Sequence, residues 1–146
     1  MKTNVLYLLK SMDKQDVGLQ LALQCAPVIT GIKISNLFII DKNMAGELYN
    51  IIDGTDISVF FLYEDETKAN ILLYRKNELQ QYLLRNENQK FIRNLGYESV
   101  YIDELLPEFA IRFSIYQLTQ EDFPHEMGLL LGYPVEDVRG FIEHQG

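Results

Sequence analysis

Apolar residues recur at helical spacing from the start of the chain, with Val5, Leu8, Leu9 and Met12 on one stripe and Leu19, Ala22 and Leu23 extending it past a break near Asp16-Val17-Gly18. The spacing predicts two helices, or one that bends, ending at Ala26-Pro27 because proline disfavours helical geometry in its predecessor. Thr30-Gly31 then reads as a turn before Lys33. The run Asn36-Leu37-Phe38-Ile39-Ile40 has the unbroken apolar character of a buried strand. A helix from about Asn43 to Asp53, burying Leu48, Ile51 and Ile52 and stopping at Gly54, is expected to lead into a second strand parallel to the first through a right-handed crossover.

Two aromatic and β-branched runs follow, Ile57-Ser58-Val59-Phe60-Phe61-Leu62-Tyr63 and Asn70-Ile71-Leu72-Leu73-Tyr74, joined by the polar stretch from Glu64 to Lys68. That is a hairpin pattern, and its acidic Glu64-Asp65-Glu66 tip is a solvated turn. Asn77 with Gln80 three residues later resembles a capping box for a helix that buries Leu79, Tyr82 and Leu83, with Phe91, Ile92 and Leu95 continuing to Gly96. Ile102, Leu105, Leu106, Phe109, Phe113 and Tyr116 trace another helix in which Pro107 needs a first-turn or bent position. Residues 99–102 could alternatively make a fourth strand.

The closing residues hold two of the chain's four prolines. Pro124 and Pro134 suit first helical turns and Gly132 suits a left-handed helix stop, so the segment predicts two short helices around a Gly-Tyr-Pro corner. The fold expected is mixed α/β: a small three- or four-stranded mixed sheet with one βαβ crossover and one hairpin, covered by helices and ending in a helical hairpin. No linker or low-complexity tract interrupts residues 1–146, so one globular domain is expected.

Composition narrows the function classes. A net charge of −8, from 13 basic against 21 acidic side chains, repels phosphate backbones and anionic bilayers, so neither nucleic acid nor membrane is an expected partner. No apolar run reaches membrane-spanning length, and Lys10 cuts Val5-Leu6-Tyr7-Leu8-Leu9 short of a leader pattern. The lone Cys25 forms no intramolecular disulfide, which suits a reducing, cytoplasmic setting. Nine Tyr and eight Phe exceed what one small core readily holds, and the surplus would suit a homodimer surface.

Candidate chemistry is sparse. Met127, Leu130 and Leu131 before Gly132, with Val135, Val138 and Ile142 after it, imitate a helix-turn-helix, yet the second helix offers Glu136, Asp137 and Glu143 against Arg139 alone. His125-Glu126 invites a metal or general-base reading, but adjacent helical residues diverge by about 100° and Leu129 stands where a zinc-protease motif needs its second histidine. Cys25 shares the apolar stripe of Leu19, Ala22 and Leu23; as a nucleophile it would need His125 as its base. The catalytic candidates are therefore Cys25, His125 and Glu126, with no metal set and no identified cofactor. Lys33 and Asn36 at the first strand and Arg75 after the third could cradle an anionic ligand, although no phosphate-loop motif accompanies them.

The segment Phe123-Pro124-His125-Glu126, Gly128, Leu131-Gly132-Tyr133-Pro134, Glu136-Asp137-Val138 and Gly140-Phe141-Ile142 resembles the signature of an uncharacterised bacterial family, domain of unknown function 3793. Cys25-Ala26-Pro27, Gly31 with Lys33, Asn36-Leu37-Phe38, Leu73-Tyr74-Arg75 and Gly96-Tyr97 resemble its other landmarks in the same order. Val28-Ile29-Thr30 and Ile34 depart from the Thr-Leu-Ala and Pro of that pattern. The resemblance implies a shared fold and surface, makes Cys25, Lys33, Asn36, Arg75, His125 and Glu126 the expected common site, and carries no activity with it. The leading expectation is a non-catalytic binding or regulatory module for an unidentified ligand or protein. The alternatives are a small enzyme using Cys25 or His125 on an anionic or metal-bound substrate, and, against its charge, a DNA-binding helix-turn-helix.

Overall fold

The computed structural model describes residues 17–145. Along them run α1 (Val17–Ile29), β1 (Ser35–Asp41), a 3-10 turn (Lys42–Met44), α2 (Ala45–Ile52), β2 (Ile57–Glu64), β3 (Lys68–Arg75), α3 (Lys76–Leu83), α4 (Asn86–Asn94), α5 (Ile102–Thr119), α6 (Glu126–Leu130) and α7 (Val135–Gln145). The first stripe, Val5 to Met12, lies outside the described residues. Among those described, no helix is long and apolar enough to cross a membrane.

The chain is mixed α/β, with a three-stranded sheet in the order β1-β3-β2. β1 pairs with β3 from Ser35 opposite Tyr74 to Asp41 opposite Lys68, and β2 pairs with β3 from Ile57 opposite Arg75 to Glu64 opposite Ala69, with a bulge between Phe61 and Tyr63. β1 and β2 therefore point the same way, as expected, but β3 lies between them. Every paired neighbour is antiparallel, where the sequence reading had a mixed sheet. The reason is in β3 itself. Ala69, Ile71, Leu72, Leu73 and Tyr74 are all buried, a run without a wet face that only the central place can satisfy. Ile39 of β1 is exposed and Phe60 of β2 half-buried, which suits edges.

The sheet separates two apolar layers. Leu21, Cys25, Val28, Phe38, Ile40, Leu48, Ile71 and Leu73 cluster beneath α1 and α2. Leu62, Leu72, Tyr74 and the inner residues of α3 to α7 cluster on the other face.

Four local expectations are corrected. Pro27 does not end α1, which runs two residues further to Ile29. The bond that proline cannot make falls on the carbonyl of exposed Leu23, and Thr30 and Gly31 close the helix through Ala26 and Val28. The Asn77–Gln80 capping box is absent: α3 begins at Lys76 without a side-chain cap. Gln80 instead accepts the Ile102 N–H at 2.9 Å and donates to the Val100 carbonyl at 3.0 Å, starting α5 from across the molecule. Those same bonds occupy the backbone that a fourth strand would have used. Pro107 sits in the second turn of α5, where its missing donor falls at the carbonyl of exposed Asp103.

Candidate functional site

Of the six residues the sequence singled out, most are committed to holding the fold. Arg75 Nη1 donates to the Val28 carbonyl at 2.9 Å and the Ile29 carbonyl at 3.2 Å, while its Nε lies 3.0 Å from Glu78. It satisfies orphan carbonyls at the end of α1, a cation at the negative pole of a helix. Asn36 donates to the Gln24 carbonyl at 3.3 Å, tying β1 to the same helix. Neighbouring Ser35, fully buried, donates its hydroxyl to the Leu130 carbonyl on the opposite side.

Cys25 has no exposed surface, and burial pushes its thiol from the ordinary 9.0 up to about 11. It belongs to the layer under α1 and α2, whereas His125 opens α6, whose Leu129 and Leu130 pack into the other layer. The structure does not bring Cys25 and His125 together.

Glu126 is only 2% exposed and is the most enclosed carboxylate described. The Tyr97 hydroxyl donates to its Oε2, and Arg112 Nη1 lies 3.7 Å from the same oxygen. The Arg112 guanidinium also sits 3.9 Å over the Tyr97 ring and donates to the Leu95 carbonyl at 2.7 Å. Burial, and then the adjacent carboxylate, hold Tyr97 far above the usual phenol range, so it keeps its proton at physiological pH. The Tyr97 hydroxyl, Glu126 Oε2 and the two terminal nitrogens of Arg112 are all engaged, and the chemistry of the trio is that of a clasp joining the end of α4, the middle of α5 and the start of α6.

Sequence reasoning missed Tyr97 and Arg112. One signal was present: Arg112 is the single basic residue in an 18-residue helix otherwise rich in Leu, Ile and Phe. The position of its partner could not be read from that.

The Gly-Tyr-Pro corner forms as expected. Gly132 takes φ +90°, its N–H reaching the Leu129 carbonyl at 2.9 Å and that of Tyr133 reaching Gly128 at 3.0 Å. This reciprocal pair is a Schellman stop, which demands a residue tolerant of positive φ. Tyr82 of α3 donates its hydroxyl to the Tyr133 carbonyl at 2.5 Å, pinning the corner's backbone while the Tyr133 ring stays 54% exposed.

Two hollows meet at this corner and share Leu131 and Tyr133. One, of about 450 Å³, runs along the start of β1 past Ile32, Lys33 and Asn36 to Gly132. The other, of about 400 Å³, lies between α6 and α7 beside His125. Lys33 and Asn36 line the first hollow and His125 the second, on either side of the shared Leu131 and Tyr133; Arg75, Cys25 and Glu126 line neither. Among the described residues, no group of three His, Cys, Asp or Glu is placed to hold a metal ion.

A family model described as a protein of unknown function, DUF3793, matches residues 21–146. No curated protein and no solved structure matches the chain.

Proposed function

The chain belongs to the DUF3793 family, and we propose that it is a non-catalytic binding module whose ligand meets the paired hollows around Tyr133. The observation that supports this reading is the meeting itself: Lys33, Asn36 and His125 come from distant parts of the chain, yet they line two hollows that share Leu131 and Tyr133. The hollow beside His125 is largely apolar and the one along β1 mixes polar and apolar walls, and concave surfaces that combine apolar walls with placed polar groups are the usual form of small-ligand sites. The enzyme alternative has less support, because its nucleophile is sealed in a core with its thiol pushed up to about 11. The DNA alternative meets Glu136, Asp137 and Glu143 on the exposed side of α7.

Amide shifts of isotope-labelled protein, recorded as small-molecule fragments are added, test the proposal. Binding at the corner moves residues 32–37 and 123–141, and Tyr133→Ala reduces the affinity of those fragments. Shifts confined to other surfaces would overturn it. In the same sample, Cys25 should alkylate at least about 100-fold more slowly than a cysteine peptide, the ratio set by two pKa units of lost thiolate. A native rate equal to the peptide's would restore the nucleophile reading instead.

A further inference from the structure

The hollow between α6 and α7 has walls that point to a ligand class. His125 stands between two phenyl rings, 5.3 Å from Phe123 at an interplanar angle of 62° and 6.1 Å from Phe141 at 59°. Tyr116 braces Phe123 edge-on at 5.1 Å and 87°, fixing that wall against α5. Met127, Leu131, Tyr133 and Val138 also line it, and Asp137 is its one carboxylate among the described residues. Rings inclined this steeply do not stack face to face; they line a half-open hollow of about 400 Å³.

The geometry points to a binding site for an alkylated ammonium ion, a small quaternary or methylated amine, and this inference rests on the reading that ligand meets the Tyr133 corner. Aromatic faces carry negative charge density and attract cations, most strongly where water is displaced. Asp137 supplies a full negative charge, and the chain's net charge of −8 favours cations at long range while repelling anions. Arg139, the cation nearest in sequence, is turned away over the Phe91 ring at 5.9 Å. Alkylation matters because the walls offer few hydrogen-bond acceptors. A bare ammonium would surrender hydration here without replacement, whereas a trimethylammonium group has no N–H bonds to lose.

Choline and its neutral tert-butyl isostere, titrated separately into labelled protein at matched ionic strength, provide the test. Choline should move amides across residues 123–141, with the isostere binding at least about fivefold more weakly because it lacks the charge. Phe141→Ala, at a half-exposed position that leaves the core intact, should weaken choline binding about three- to tenfold, and Asp137→Asn should weaken it more at low salt than at high. Equal affinity for the neutral isostere would overturn the ammonium assignment while leaving the corner as a ligand site. Absence of choline shifts in folded wild-type protein would overturn it too, and fragment binding at the corner would still stand separately.

Discussion

The two faces of the sheet are held by different means. Beneath α1 and α2 the buried residues are all apolar, and even Cys25 serves there as a small hydrophobe. Beneath α3 to α7 the apolar layer is threaded by long-range polar bonds: Ser35 to Leu130, Tyr82 to Tyr133, Gln80 to Val100 and Ile102, and the Glu126 clasp with Tyr97 and Arg112. The difference follows from the elements that each face must place. Two helices of 13 and 8 residues can seat on a sheet chiefly through their apolar stripes, with Arg75 and Asn36 adding only exposed or half-buried bonds to carbonyls of α1. The five-residue α6 cannot hold itself by helical propensity, so its position has to come from bonds to its neighbours.

The sharpest attack on this division goes through β3, which serves both faces. Leu73→Ala on the α1 side and Leu72→Ala on the other each remove a fully buried side chain and should each cost about 2–5 kcal/mol in denaturant unfolding. A single cooperative transition is expected in both variants, because the same strand carries each layer. If Leu73→Ala instead split the transition, the faces would be separate folding units rather than two designs sharing a strand.

This contrast also explains what was legible in the sequence. Periodicity located the helices and strands, and the hairpin and the Gly132 corner followed from turn chemistry, because those depend on residues close together in the chain. The polar bonds of the second face join residues 14 to 95 positions apart, and no local pattern marks such partners. Arg75 shows the same limit from the other side. Its charge at a strand end suggested an anion site, yet what it meets is the terminal carbonyls of a helix 46 and 47 residues earlier. The central place of β3 was written in its unbroken burial, but an apolar run alone did not say which neighbours would flank it.

A smaller effect should separate the faces by their polar contents. Tyr97→Phe leaves the Glu126 carboxylate without its phenol donor, and Glu126→Gln removes the charge facing Arg112; each should cost about 1–3 kcal/mol. The pair should couple by at least about 0.5 kcal/mol in a double-mutant cycle, while either should add independently to Leu73→Ala across the sheet. Alkaline titration resolves the same division. A raised native pKa means that the folded chain keeps a proton the unfolded chain has lost, so stability is full below the unfolded value and falls as pH rises through the interval. Cys25 begins that loss near its ordinary 9.0 and completes it near 11, whereas Tyr97 begins near its ordinary 10.0 and continues beyond. Each contributes a slope of about 1.4 kcal/mol per pH unit within its interval. Cys25→Ala should therefore flatten the stability curve first, and Tyr97→Phe only at higher pH. Identical curves for the two variants would erase the distinction.

The smallest effect concerns how closely the second face is packed where it carries no polar bond. A Cβ on Gly128 would lie 2.9 Å from Val138 Cγ2, nearer than two carbons can stand, so α6 and α7 approach each other through the missing side chain. Gly128→Ala gains about 1 kcal/mol of helix propensity but must spread the pair, and the net cost should be about 1 kcal/mol. Shortening the opposing residue relieves that contact: Gly128→Ala combined with Val138→Ala should be more stable than the sum of the two single changes by about 0.5 kcal/mol or more. Simple additivity would mean that the helices slide freely, and the corner would then not be a fixed frame. Gly128 and Val138 both line the hollow beside His125, so the same spreading that lowers stability should also shift the amides of Phe123 and Phe141. A stability change without those shifts would separate the packing of the helix pair from the shape of the aromatic walls.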